Sequence, residues 1–207
     1  MPSIFRITHF NNLDFILKNG IHCCNSGIQD PTFVNIGNPS IISRRNYIQV
    51  PVPPGGVLND YVPFYLGVHS PMLLQIFSGL AGGIPCTQED IIYIVSNDTL
   101  LSQNNLKFVF TDGHAVDHLT RNFYNSINDF NKLDWRVIND KYWANTEDDP
   151  DRQRRKQAEF LVFQNVPVNC IFGIGVYNSN MKNKIDSILL NNNCSYIPCK
   201  VKTKWYY

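Results

Sequence analysis

Apolar and polar positions alternate from Ile4 to Thr8, which predicts a short strand near the start of the chain. The spacing then turns helical over NNLDFILKNG, with Asn11 or Asn12 placed as a cap and Gly20 as a stop. Residues 21–37, rich in Asn, Gly and Pro, read as loop. Asn38 and Pro39 supply the cap and first turn of a helix reaching to about residue 48. VPVPPGGVLND, residues 50–60, excludes regular structure. YVPFYLGV follows as a strand whose Pro63 suggests an edge or a bulge. Ser70, Pro71 and Gly79 repeat the cap, first-turn and stop pattern. Strands are expected at 90–96, 107–111, 158–163 and 170–177, a short helix at 97–105 and an amphipathic helix at 178–191. A last strand is placed through Ser195 to Lys202. The segment 114–157 reads as mainly helical and polar, with aromatics at Phe123, Tyr124, Phe130, Trp135, Tyr142 and Trp143. Strands and helices mix without regular βαβ alternation, so the expected fold class is α+β with mixed or antiparallel sheets. With no repeat, low-complexity tract or clear linker, residues 1–207 are expected to form a single domain.

Composition narrows the function. Hydrophobic residues make up 43% of the 207 and charged residues 17%, with a formal net charge of +1. A whole-surface electrostatic grip on nucleic acid is therefore excluded, and any such grip must be a local groove. The opening MPSIFRITHF has neither a long apolar run nor a small-residue cleavage site, and no segment approaches the roughly 20 apolar residues of a membrane span. The six cysteines, at 23, 24, 86, 170, 194 and 199, form no CxxC pair. Reduced thiols in a cytoplasm, and no metal site, are the expectation. There is no phosphate-binding glycine motif and no Ser-His-Asp or Cys-His arrangement.

The chemistry-bearing candidates are few. In RRKQAEFLVF, Glu159 heads an apolar strand, on one face with Leu161 and Phe163. A carboxylate there either pairs with Arg154, Arg155 or Lys156, or sits at a cleft floor to meet a ligand. Arg45 lies at i+3 and i+4 from Ile42 and Ile41 and so leans toward the buried stripe of its helix, whereas Arg44 points away. VPVPPGGVLNDYVPFY joins a stiff Pro segment to an aromatic strand, and long structured loops of this kind are more often functional than idle. Phe64 reads as core, while Tyr61 and Tyr65 share the opposite face and could offer a flat surface to a ring. His9, His69 and His114 flank predicted elements, where single histidines are more often structural than catalytic.

Taken together, FRITHFNNLDFILKNG, SRRNYIQVPVPPGGVLNDYVPFYLGVHSPML, FVFTDGHAV, LDWRVINDKYWAN and RRKQAEFLV resemble, in order and along nearly the whole chain, the DarT family of DNA ADP-ribosyltransferase toxins. The resemblance implies an ADP-ribosyltransferase fold, NAD as co-substrate, single-stranded DNA with thymine N3 as acceptor, and a DarG macrodomain antitoxin as partner. It implies Glu159, Arg45 and His114 as catalytic residues. For the cofactor it implies Arg6, Ile7, Thr8, Asn12, Arg45, Tyr65 and Ser70. One departure stands out: the family carries His where this chain has Arg6, so the cofactor would be oriented differently there.

Elementary chemistry agrees with that implication. Breaking the bond to nicotinamide builds an oxocarbenium-like cation that a fixed carboxylate can stabilise. Thymine N3 must lose a proton to attack, and Arg is locked in its charged form, so Arg45 suits orientation and charge stabilisation. Gln157 lies two residues before Glu159, a spacing that suits an acceptor contact. Lys141, Tyr142, Trp143, Arg154 and Arg155 mix cations and rings as a single strand of DNA requires. Two other readings remain open at this point: the same transfer to guanine, RNA or protein, and a non-catalytic module that binds single-stranded nucleic acid.

Overall fold

The computed structural model describes residues 2–80 and 86–207. In chain order the elements are β1 (Ser3–His9), α1 (Leu13–Asn19), β2 (Ile21–His22), α2 (Pro39–Arg45), β3 (Tyr61–Tyr65), α3 (Pro71–Phe77), β4 (Ile91–Asn97), α4 (Asp98–Gln103) and β5 (Phe108–Thr111). They continue with β6 (Phe123–Tyr124), α5 (Trp135–Asn139), α6 (Arg152–Lys156), β7 (Glu159–Phe163), β8 (Asn165–Val166), β9 (Gly173–Val176), α7 (Ser179–Asn191) and β10 (Cys199–Val201). An eight-stranded sheet runs β10-β9-β4-β1-β3-β7-β5-β6, and β2 pairs with β8 separately. Among the described residues only β9 and β10 pair in parallel; the other neighbours are antiparallel.

The caps read at Asn38 and Ser70 act as expected, each accepting a backbone N–H of the helix it opens, and the structure adds Asn97 and Asn178 in the same role. Gly20 ends α1 at φ 81°, a left-handed conformation that glycine adopts without strain. On α7, Met181, Ile185 and Leu189 recur at helical spacing and pack into the main core with Ile4, Phe64, Ile92 and Phe160. A second cluster, with Ile7, Leu73, Ile76 and Tyr93, covers the other side of β1 and β4.

Four expectations are corrected. Asn12 stands at the N-cap of α1 but its side chain does not cap it. Its Nδ2 donates to Thr8 Oγ1 (2.9 Å) and Val34 O (2.9 Å), and its Oδ1 accepts Val34 N (2.8 Å), so it ties the loop after β2 to β1. Pro63 marks neither an edge nor a bulge. β3 is interior, paired with β7 from Tyr61↔Phe163 to Tyr65↔Glu159, yet it meets β1 at Phe5↔Tyr65 alone. The N and O of one strand residue point the same way, so the missing Pro63 N–H faces this open seam. Its carbonyl there accepts Arg6 Nη1 at 3.0 Å.

Third, residues 114–157 are mostly irregular, with α5, α6 and a 3₁₀ helix at Ile127–Lys132 as their helical pieces. Tertiary contacts override the helical pattern: Phe130 and Tyr124 stack on Phe110, and Arg152, Arg154 and Arg155 pair with Asp140, Asp151, Asp112, Asp134 and Asp149. Lys156 pins the segment's end. It is buried, and its Nζ donates to Val68 O (2.9 Å), Ile138 O (2.7 Å) and Asp140 O (2.8 Å). The last strand is also shorter than expected, β10 covering Cys199–Val201.

Replacing Lys156 by Met strips three carbonyls of their donor, and buried acceptors left unpaired are costly. We expect Lys156→Met to lower unfolding stability by about 2–4 kcal/mol, measured by urea denaturation; a loss below about 1 kcal/mol contradicts this role.

Candidate active site

Where β1 and β3 part, a cavity of about 530 Å³ opens. β1 contributes Arg6, Ile7 and Thr8; β3 contributes Tyr61, Pro63 and Tyr65; α2 contributes Ile41 and Arg45. Cys23, Phe33 and Asn35 of the loop after β2 form another wall, and His114, Gln157 and Glu159 complete it.

Glu159 begins β7 at the position paired with Tyr65. Its partner is none of the basic residues just before it. Oε2 accepts Arg45 Nη1 at 2.8 Å across 114 residues of sequence, and Oε1 accepts Ala115 N at 2.9 Å. His114 Nε2 lies 4.0 Å from Oε1. Burial alone would raise the Glu159 pKa; Arg45, His114 and the Ala115 N–H outweigh it and hold the carboxyl below the usual glutamate value. The TDG turn aims these groups. Thr111 Oγ1 accepts Glu159 N at 3.2 Å and donates to Gly113 O at 2.6 Å, while His114 N donates to Arg154 O at 3.0 Å. A side chain at Gly113 would run into Arg154, so the close approach requires glycine.

Arg45 is 8% exposed and spends one guanidinium nitrogen on Glu159. Its Nη2 is buried without a hydrogen-bond partner, a donor positioned for an incoming acceptor. Arg6 shares the cavity, anchored to Pro63 O and to no carboxylate within ion-pair distance among the described residues. Burial and the nearby Arg45 lower its pKa. Tyr65 is pushed above its usual pKa by burial and by the Glu159 charge.

Other residues singled out from sequence fall in different places. Thr8 and Asn12 line the cavity. Ser70 lies outside its lining: its hydroxyl caps α3 through Leu73 N and bonds Tyr65. Tyr61 is buried with its hydroxyl donating to Gly55 O, and both it and Tyr65 line the cavity. Gln157 lines the cavity and bonds Gln153 O. Tyr142 is exposed, whereas the Trp143 indole donates to Tyr207 Oη at 2.7 Å. Arg154 and Arg155 are held in ion pairs with aspartates. His9 caps the turn after β1, and His69 is buried beside Tyr207.

Sequence reading missed Asn59. It lies on the cavity wall with Nδ2 on Ile42 O at 3.1 Å and a buried Oδ1 without a partner. Its signal was its place at the end of the Pro-Gly loop, immediately before an aromatic strand. It also missed Thr111, whose role as a brace for Glu159 depends on a turn geometry invisible in spacing.

Comparison with solved structures fixes the class. Thermus sp. 2.9 DarT in complex with ADP-ribosylated single-stranded DNA superposes with a TM-score of 0.92 at 36% identity, over 100% of this chain and 96% of that one. The same protein in complex with NAD+ gives 0.85 at 35%, over 100% and 98%. The fold is that of the ADP-ribosyltransferases. The family profile for "ssDNA thymidine ADP-ribosyltransferase, DarT" matches residues 5–207, and a DNA ADP-ribosyl transferase of Escherichia coli O127:H6 is 38% identical over 204 residues, 99% of this chain and 93% of that protein. The chain belongs to the DarT family.

Removing one partner of the buried pair strands the other charge. We expect Glu159→Gln to cost about 2–4 kcal/mol at neutral pH by chemical denaturation, and Arg45→Met with Glu159→Gln together to cost less than the two single changes summed. Because the folded Glu159 pKa is depressed, its share of stability is present above the unfolded carboxylate value of about 4.3 and lost as pH falls through the lower folded value. Acid titration of Glu159→Gln should therefore lack that loss; an unchanged acid limb contradicts the assignment.

Proposed function

We propose that this protein transfers ADP-ribose from NAD to a thymine of single-stranded DNA and releases nicotinamide, acting as the toxin of a toxin–antitoxin pair. The observation that carries this is the Arg45–Glu159 pair on the floor of the β1–β3 cavity, with Arg45 Nη2 still unpartnered. The cavity suits NAD: its volume lies within the range of ligand pockets, its walls are largely apolar, and the buried free donor and the Arg6 cation await an anionic or carbonyl oxygen. Arg6, Ile7, Thr8, Asn12 and Tyr65 are the residues we assign to holding it, with Ser70 setting the Tyr65 hydroxyl.

NAD supplies the ADP-ribosyl group: the bond from ribose C1′ to nicotinamide breaks, the bond from C1′ to the base nitrogen forms, and the base gives up one proton. Glu159, ionised and fixed by Arg45 and Ala115, stabilises positive charge developing on the ribose and can accept a ribose hydroxyl. Arg45 remains cationic and points its free Nη2 at the acceptor's developing negative charge. His114, whose Nε2 lies 4.0 Å from Glu159 Oε1, is the side chain beside the pair that we assign to receiving that proton. Gln157 contacts the acceptor. A DarG-type macrodomain that removes the mark is the partner, and the cytoplasm the place of action. Family membership supports both, and no described helix is long and apolar enough to cross a membrane.

Protein, NAD and a thymine-containing single-stranded oligonucleotide should give oligonucleotide heavier by one ADP-ribose in mass spectrometry. Glu159→Gln should slow the transfer by at least about 100-fold. Guanine-only DNA, RNA and protein acceptors run in parallel locate the acceptor. Modification confined to one of them replaces thymine in the proposal, and none on any acceptor overturns it.

A further inference from the structure

Tyr65 and three residues of α3, Pro71, Met72 and Gln75, line one wall of the active-site cavity, yet the turn between them, residues 66–70, lies behind that wall. The turn is tightly built. A side chain at Gly67 would run into Ile138 O, so the backbone packs directly against the end of α5. His69 stands at φ 58°, a left-handed conformation that residues other than glycine enter at a cost and keep only where their surroundings hold them. Ser70 then faces two ways: its hydroxyl accepts Leu73 N at 3.2 Å to open α3, and it bonds the Tyr65 hydroxyl.

What holds the turn comes from far along the chain. Its carbonyls are taken in succession: Val68 O accepts Lys156 Nζ at 2.9 Å, and His69 O accepts Tyr207 Oη at 2.7 Å, with Ser70 O 3.5 Å from the same hydroxyl. Tyr207 is itself set by its neighbours. Trp143 Nε1 donates to its hydroxyl at 2.7 Å, which leaves the hydroxyl's own proton for the turn. Gln88 brackets its backbone, Oε1 accepting Tyr207 N at 2.9 Å and Nε2 donating to Tyr207 O at 2.6 Å, and the rings of His69 and Phe77 flank its ring. Neither Tyr207 nor Lys156 lines the cavity. Two remote side chains thus hold a strained turn whose two ends are cavity wall.

We propose that Tyr207 is a positioning residue for NAD: with Lys156 it locks the His69 turn, and through Ser70 it presets the Tyr65 ring and the start of α3 before NAD arrives. Without the lock the wall still forms but samples other arrangements. NAD must then order it on binding, which weakens affinity and leaves the Arg45–Glu159 pair untouched. This rests on the assignment of Tyr65 to NAD made above and deepens it.

The test compares the full chain with Tyr207→Phe, which removes one hydroxyl and keeps the ring, with Tyr65→Phe, and with both changes together. NAD affinity is read by calorimetry, KM and kcat by oligonucleotide mass gain, and folding by thermal melting. Tyr207→Phe should weaken NAD binding and raise the KM for NAD about 10-fold, the worth of one well-made hydrogen bond, and leave kcat at saturating NAD within about 2-fold. In the Tyr65→Phe background the hydroxyl that Ser70 sets is gone, so adding Tyr207→Phe should weaken NAD binding less than about 3-fold further. Should Tyr207→Phe melt below the assay temperature, Trp143→Phe carries the same test, because it takes away the N–H that fixes the Tyr207 hydroxyl and should weaken NAD binding in the same direction. A lower melting temperature with NAD affinity unchanged is a merely structural role and overturns the proposal. So does a double variant in which the two effects multiply in full. If NAD affinity shifts as stated but no acceptor gains ADP-ribose, the lock stands and the reaction reading falls.

Discussion

One buried ion pair organises this molecule. Arg45 ends a short helix in the first quarter of the chain, and Glu159 opens a central strand 114 residues later. Neither can leave water alone. A buried carboxylate without a partner would be protonated, and a buried guanidinium without one would be expelled. Their mutual contact, the Ala115 N–H and the Thr111 brace make the burial tolerable and leave one guanidinium nitrogen spare. The site is thus an electrostatic arrangement completed before any ligand arrives, and such preorganisation is where enzymes gain most of their electrostatic advantage.

The sheet supplies the space. Strands normally zip along their length, and β1 does so with β4 over every residue from Ser3 to His9. On its other side it is held to β3 by one pair. Proline is the residue type that permits this, because it cannot donate into the ladder, and Arg6 then occupies the carbonyl that the ladder would have used. A sequence feature that reads as an edge signal thereby becomes an opening in the middle of a sheet.

Much of this was legible in the chain. Cap and first-turn residues placed two helices, α2 and α3, at their observed starts, and the inward lean of Arg45 followed from its spacing to Ile41 and Ile42. Local pattern failed where long-range contacts decide. Glu159 lies beside three cations in sequence, and spacing favoured one of them as its partner; in the fold those cations turn to aspartates or carbonyls and a distant arginine takes their place. The 114–157 segment has helical spacing but is shaped by aromatic stacking on Phe110 and by ion pairs closed over tens of residues, which periodicity does not encode. The resemblance to a known family named Arg45 and Glu159 together as site residues, which spacing could not, but their direct contact became visible only in the fold.

The single rung joining β1 to β3 has a mechanical consequence. The sheet is two stiff four-stranded plates, β10-β9-β4-β1 and β3-β7-β5-β6, sharing a narrow seam. A molecule lodged in the cavity touches both plates and so acts as a staple between them. Its effect on resistance to heat then follows its affinity for the folded chain, and for a molecule that draws that affinity from both plates the effect depends on both sides of the seam being in place.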